Sequence, residues 1–433
     1  MNRIVTKSPR FSFPVAIVAF FCFNGSLAAK SASSDSSFSS NDQNYSHYTH
    51  TRPELFWHRK EQFTYRGTAY GITGFPLALL NTSHRWTVGG KLNLSNLSLA
   101  PFRYRIGLHW ARSTGNKNNY VMKVVIPQSS KMGFGIRFLI NTGRSEGLFH
   151  GRGNNSKFFK SYTEHGSGYF RAKNYYRYFV DRTRILTYLD RNFFKSLSAS
   201  IGIGFQRGEV KTHSETSHLF INASDQLGNS NFRLIGISVI WDSRDDPRYA
   251  STGVLHLWSY ERTYNFHSKI AAAANAERFT VNDIRYRRFS GRITYASRYI
   301  FEWINGTTPI DLFGEIGDGF NRIEGLGGND TMRGFSTHRF IDNLRFVSNT
   351  EFRFWLATTD LLGQNFRWSA ILFRDSGRVW SDLPEIKLKH LWNLHSTLGG
   401  GINLLWNQDL VVRFEIGRSP EENLVLFQFG RSF

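Results

Sequence analysis

Residues 410–417 read LVVRFEIG. On an extended chain Leu410, Val412, Phe414 and Ile416 fall on one face and Val411, Arg413, Glu415 and Gly417 on the other, because strand side chains alternate with a period of two. One row is wholly apolar and the other mostly polar. Residues 346–356 repeat the pattern, with Phe346, Phe352, Phe354 and Leu356 set against Asn349, Glu351 and Arg353. From about residue 86 onward, segments of roughly ten residues with this alternation recur between turns rich in Gly, Asn, Asp and Ser. The expected strands are 88–98, 103–112, 119–127, 131–142, 169–179, 183–193, 197–208 and 232–243. They continue with 253–264, 279–289, 291–304, 344–358, 366–380, 393–406, 409–418 and 422–433. This makes sixteen, an even number that lets a closed antiparallel barrel begin and end at one face. Alternation alone also suits a soluble β-sandwich, so other features must separate the two.

The first 28 residues bear on the compartment. Arg3, Lys7 and Arg10 form a basic start, Phe11 to Phe23 form an apolar run too short to cross a bilayer as a helix, and Ser26-Leu27-Ala28 offers small residues for cleavage. Residues 1–28 therefore read as a secretory signal peptide. The single cysteine, Cys22, lies inside it, so the mature chain is expected to carry no thiol, which excludes disulfides and cysteine metal sites. Residues 29–75 read as a Ser-rich flexible segment, periplasmic or folded as a plug, and residues 76–433 as the barrel.

Composition points the same way. Aromatic residues make up 16% of the chain, with 39 Phe, yet mean hydropathy is −0.36 and no mature apolar run is long enough for a spanning helix. A transmembrane β-barrel accounts for both facts, since its strands alternate lipid-facing apolar with lumen-facing polar residues and its rims carry aromatic girdles. Without the leader's basic residues the formal charge falls from +21 to +18. Behind a signal peptide the expected anions are lipid headgroups and lipopolysaccharide phosphates rather than nucleic acid.

Between the expected strands, 305–343 is the longest connection, and within it stands GGNDTMRGFSTHRF at 327–340. On the residues alone this is either a loop folded into the lumen or an external glycine loop. It is followed by NTEFRFWL at 349–356 and ILFRDSGRVW at 371–380. With WDSRDDPRYASTG at 241–253 and LFQFGRSF at 426–433, these stretches resemble, in order, the bacterial surface antigen family. That family includes the barrels of outer-membrane protein insertases and two-partner secretion transporters. The resemblance implies an all-β, 16-stranded antiparallel transmembrane barrel with a lumen-inserted loop. Its tip would be Arg333, Gly334 and Phe335, docking on Phe373, Asp375 and Gly377, with Glu351 on the neighbouring strand's polar face. Arg suits such a dock because its planar fork stays charged and meets carboxylates bidentately. The resemblance also implies a structural turn at Asp242, Arg244, Asp245 and Gly253, and a C-terminal insertion signal at Phe427, Phe429 and Phe433 read by the barrel insertion machinery. In one respect the chain departs from the family: about 50 mature residues before the first expected strand are too few for a polypeptide-transport-associated domain. A barrel-only member is therefore expected.

Three function classes follow. One is a gated pore or a protein transport or insertion component taking a polypeptide substrate. Another is a structural or surface-interaction barrel whose basic loops bind lipopolysaccharide or an external partner, with Arg374 and Arg378 on the outward face. The third, an enzyme, is disfavoured: HGSG at 165–168 lacks the spacing and context of a nucleophile elbow, and SHYTH at 46–50 lies in the Ser-rich segment. No catalytic, metal or cofactor residues are assigned, and the sequence leaves the oligomeric state open.

Overall fold

The computed structural model describes residues 61–81, 85–99, 102–113, 117–129, 132–246, 249–266, 275–306, 309–317, 322–361, 364–406 and 410–429. The expected signal peptide, the Ser-rich stretch up to residue 60 and Phe433 lie outside them. In chain order the strands are β1 (Glu61–Tyr65), β2 (Thr68–Asn81), β3 (Arg85–Asn96), β4 (Tyr104–Ser113), β5 (Asn118–Ile126) and β6 (Gly135–Leu148). Next come β7 (Arg177–Asn192), β8 (Leu197–Thr212), β9 (Gly228–Asp242), β10 (Gly253–Asn265), β11 (Ala276–Arg288) and β12 (Ile293–Gly306). After a small pair, β13 (Glu315–Ile316) and β14 (Ile323–Glu324), the series resumes with β15 (Leu344–Leu361), β16 (Gln364–Trp380), β17 (His395–Trp406), β18 (Leu410–Arg418) and β19 (Asn423–Phe429).

All but β13 and β14 join one antiparallel sheet of 17 strands in which chain neighbours pair, and β19 lies beside β2. The architecture is the expected all-β antiparallel barrel. Its strand list differs from the sequence reading at three places, with one expected strand lost and β1 and β2 gained, so the sheet has seventeen strands where sixteen were expected. Residues 169–176 are loop, since Tyr175 and Tyr176 pack on each other and on His218 instead of entering the ladder. In exchange, β2 forms where Gly71, Gly74 and Pro76 mask the strand signal, with Pro76 opposite Gly90 of β3. With β1, it places strand structure at residues 61–75, inside the stretch expected to be flexible.

The two faces are inverted relative to a soluble sheet. On β18, Phe414 and Ile416 are 50% and 49% exposed, whereas Arg413 and Glu415 are 2% and 1% exposed. The same holds on β16, where Leu372 is exposed and Phe373 and Asp375 are buried, and on β8, where Ile201 and Ile203 point out. A soluble sandwich would bury the apolar row, because transfer of apolar surface out of water is the main driving force for folding. A barrel in lipid instead buries its polar row in the lumen.

Because strand direction alternates, the connections 149–176, 213–227 and 307–343 all leave from the same rim. The last of these turns inward. Leu326, Met332, Phe335 and Phe340 pack against Ile300, Val347 and Val379 of the wall in one buried cluster.

Candidate functional site: an arginine held inside the barrel

The inserted loop is held in shape by its own backbone and by one threonine. A short helix, α1 (Ile310–Phe313), leads into β13, and a bridge joins Leu326 to Phe340. Thr331 donates its hydroxyl to the carbonyls of Gly325 (2.6 Å) and Gly327 (3.1 Å), while Gly328 N–H donates to Phe335 O at 3.0 Å. At the tip, Gly334 has φ +107°. A side chain there would be strained and would also crowd Gly417 and Arg418 of β18, 3.0–3.2 Å away.

This turn aims Arg333 at three strands. Its backbone N–H and Nε both donate to Asp375 Oδ2, at 3.0 and 2.8 Å, and Nη2 donates to Asp375 Oδ1 at 2.8 Å. Nη1 donates to Glu351 Oε1 at 2.7 Å and to Glu415 Oε2 at 3.3 Å. The guanidinium carbon lies 3.5 Å from the centroid of the Phe373 ring, close enough for a cation–π contact. Asp375 is further fixed by Asn349 Nδ2 at 2.8 Å, and that same amide nitrogen donates to Thr331 O at 2.6 Å, tying loop to wall a second time. The carboxylates are also braced from within the wall: Arg353 Nε donates to Glu351 at 2.9 Å and Arg413 Nη1 to Glu415 at 3.3 Å. Burial alone would lower the pKa of Arg333, but Asp375, Glu415 and Glu351 outweigh it and hold the group well above its usual value, permanently charged.

Among the residues singled out from sequence, the structure thus brings together Arg333, Gly334, Phe373, Asp375 and Glu351. Gly377 belongs with them, for a Cβ there would come within 2.6 Å of Leu326 and 2.9 Å of Met332. Phe335 sits apart from the carboxylates and packs edge-on to Phe340, which stacks on His395 at 3.9 Å. In the turn after β9, Arg244 folds back on Asp242 (Nη2–Oδ2 2.7 Å), Asp245 accepts from Ser251 N (2.8 Å) and Thr252 N (3.1 Å), and Gly253 has φ +99°. Phe427 faces outward, Phe429 pairs with Val412, and Arg374 is exposed on the outer face of β16.

Two features were not singled out. Glu415, the third carboxylate, stood in the polar row of 410–417 but had no visible link to the loop. A second anchor, at the first half of the loop, had no motif at all. Glu315 accepts from Arg182 Nη1 (2.6 Å) and Arg184 Nη2 (2.8 Å) of β7, and Arg322 grips Glu261 of β10 with Nη2 2.6 Å from both oxygens. Arg345 donates to Phe313 O at 2.6 Å and lies 3.0 Å from Glu302. Burial would raise the Glu315 pKa, but Arg182 and Arg184 bring it down to about 2. The loop is therefore clamped by charge at both of its halves, to β15, β16 and β18 at the tip and to β7 and β10 at the first half.

A family model described as the Omp85 superfamily domain matches residues 130–410. Among solved structures, BamA from Haemophilus ducreyi lacking POTRA domains 1–3 is similar in fold at a TM-score of 0.54 and 13% identity, over 84% of this chain and 69% of that one. CdiB from Escherichia coli is similar at a TM-score of 0.53 and 12% identity, over 83% of this chain and 62% of that one. No curated protein sequence matches the chain.

Proposed function

The chain belongs to the Omp85 superfamily, and from that premise we propose that it is an outer-membrane barrel for polypeptide translocation or membrane insertion, gated by the 307–343 loop. One observation carries the reading: a loop from the rim descends into the lumen and ends in a buried arginine shared by Asp375, Glu351 and Glu415. A permanent structural plug needs only apolar packing. A charge cluster instead specifies one loop position while adding little net stability, which suits an element that must leave and return to register. Among the described residues, the buried charged groups of the lumen face are engaged with one another and with the loop, an arrangement that holds a position.

Planar-bilayer recording of the purified protein tests this. The native barrel is expected to show low or flickering conductance, and deletion of residues 320–340 to give a large steady one. Barrels that stay silent with and without those residues would sink the gating reading.

A second reading, a surface-interaction barrel, draws on the 149–176 rim loop. It exposes Tyr169 (75%), Phe159 and Phe170 beside exposed Lys157, Arg171 and Lys173, a mixture suited to lipopolysaccharide phosphates and acyl chains. Binding to lipopolysaccharide that does not weaken with salt would rule out its electrostatic basis.

A further inference from the structure

The outer wall between β7 and β10 carries a groove with two unpaired cations at one end. Strand register sets the outward side chains in rows across the four strands. Thr183, Arg207 and Asn231 stand in the first row, Ile185, Phe205, Arg233 and Tyr264 in the second, and Thr187, Ile203, Ile235 and Arg262 in the third. Within these rows lies a groove of about 560 Å³, lined by Ile185, Thr187, Ile203, Phe205, Ile235 and Tyr264, with Arg233 at its border. The first row is nearest the rim from which 213–227 and 307–343 leave. Outer-membrane barrels carry their longer connections outside, so this end of the groove faces the external leaflet.

Its depth follows from β9. Arg233 and Trp241, both outward and exposed, are eight residues apart on that strand, which is ~27 Å along the strand and ~20 Å along the membrane normal at a tilt of ~35–45°. An apolar lipid-facing band is ~25 Å tall between its aromatic girdles. With Tyr264 in its own row, Arg233 therefore stands at the upper edge of the band, at the level of lipid phosphates.

Charge sets this place apart from the rest of the wall. Of the outward cations toward this rim on β6 to β10, Arg144 pairs with Asp181 (2.6 Å), Arg177 with Glu146 (2.8 Å), Lys211 with Glu209 (2.7 Å) and Arg262 with Glu277 (3.7 Å). Among the described residues Arg207 and Arg233 have no ion pair, and both are exposed. They are diagonal neighbours across β8 and β9, ~7–8 Å apart, where like charges disfavour the sheet. Arg233 is held by aromatic contact, its guanidinium carbon 4.9 Å from the centroid of Phe266, whose ring packs 5.4 Å from that of Phe205. An anion between the two arginines would accept from both forks and relieve the repulsion.

We propose that this groove binds a lipopolysaccharide molecule of the external leaflet, with a lipid A phosphate between Arg207 and Arg233 and one acyl chain lying against Ile203 and Ile235. The two parts of the site match the two parts of the ligand: a phosphate carried on a sugar, and an acyl chain that starts just below it. The site lies on the outer wall, apart from the 149–176 rim loop, and stands whether or not the lumen loop gates translocation.

The test is a binding titration of the full chain in detergent with bisphosphorylated lipid A, lipid A stripped of its phosphates, and phosphatidylglycerol. The native chain is expected to bind bisphosphorylated lipid A about tenfold more tightly than the stripped form, and about tenfold more tightly than Arg207→Gln/Arg233→Gln does. Ile203→Trp, which fills the groove and keeps both arginines, should weaken binding as well. Lys157→Gln/Arg171→Gln/Lys173→Gln on the rim loop should leave it unchanged. The comparison of the two lipid A forms on the native chain decides even where a substitution impairs folding. Equal binding of both forms by the native chain, or of bisphosphorylated lipid A by the native chain and a folded Arg207→Gln/Arg233→Gln variant, overturns the proposal. So does loss of binding in the rim-loop variant alone, which moves the site to that loop, and so does phosphatidylglycerol binding as tight as that of lipid A, which gives the groove to a phospholipid.

Discussion

Arg333 grips Asp375 twice over, with its backbone N–H and with two arms of its guanidinium, all three contacts falling between 2.8 and 3.0 Å. The backbone contact survives any change of the side chain; the charge does not. Arg333→Ala leaves Asp375, Glu351 and Glu415 buried around an empty space, and breaking a buried pair by removing one partner costs ~3–5 kcal/mol. The expected result is a clear drop in the temperature at which the folded band converts in a gel-shift assay. Exchanging the charges, Arg333→Asp with Asp375→Arg, is not expected to restore it, because the aspartate introduced at the loop tip would face Glu351 and Glu415. Full rescue by the exchange would show that the three-carboxylate cluster does not act as a unit.

Gly417 offers a way to displace the tip without touching its charges. A Cβ at that position would stand 2.6 Å from Arg333 O, 2.7 Å from Arg333 C and 2.8 Å from Gly334 N. All three are backbone atoms of the loop and none can swing aside, so Gly417→Ala should dislodge the tip and leave the sheet intact. Raised conductance with an unchanged circular-dichroism spectrum is the predicted outcome. Conductance equal to that of the native protein would mean that the tip tolerates displacement without opening the lumen.

How far the sequence revealed this arrangement depends on the kind of signal each part left. Arg333 and Asp375 lay in short, recognisable strings, and period two put Phe373, Asp375 and Gly377 on one face of β16. Glu415 was equally visible on its polar row, yet alternation assigns a face and not a neighbour. Only the order β16, β17, β18 around the wall brings it within 3.3 Å of Arg333. Glu315 sits in an irregular stretch with no periodicity, so its pairing with Arg182 and Arg184, more than a hundred residues away in sequence, left no local trace. The strand errors have the same character. Tyr175 and Tyr176 imitate a strand but pack in a loop, whereas Pro76 discourages a strand that forms beside β3.

The second clamp predicts a separate phenotype. Glu315→Gln removes the charge that holds Arg182 and Arg184 together, with Arg322 Nε 3.8 Å from the same carboxylate. These cations would then repel one another across the lumen, so the first half of the loop should loosen while the Arg333 tip stays docked. Limited proteolysis should cut within residues 309–324 before 325–343 in this variant. Combining it with Arg333→Gln should open the lumen more than either change alone. If the double variant conducts no more than the Arg333→Gln single variant, the Glu315 clamp has no part in gating.

Acid should weaken the loop through its histidines. Burial lowers the pKa of His338 to about 4, with Arg345 and Arg182 acting in the same direction and Glu315 against it. His150, on the neighbouring rim loop, is lowered well below its ordinary value, also chiefly by burial. An unfolded histidine titrates near pH ~6.5. Between that point and about 4 the unfolded chain binds a proton that the folded loop refuses, so stability falls as pH drops through this window and is level above it. Asp342 and Glu422, whose carboxyl pKa values burial raises, act in the opposite sense and favour the folded state as acid is added. The contribution of His338 is therefore read as a difference. The native thermal midpoint should fall more steeply from pH 7 to 4.5 than that of His338→Gln, and parallel profiles for the two proteins would show that His338 titrates alike in the folded and unfolded chain.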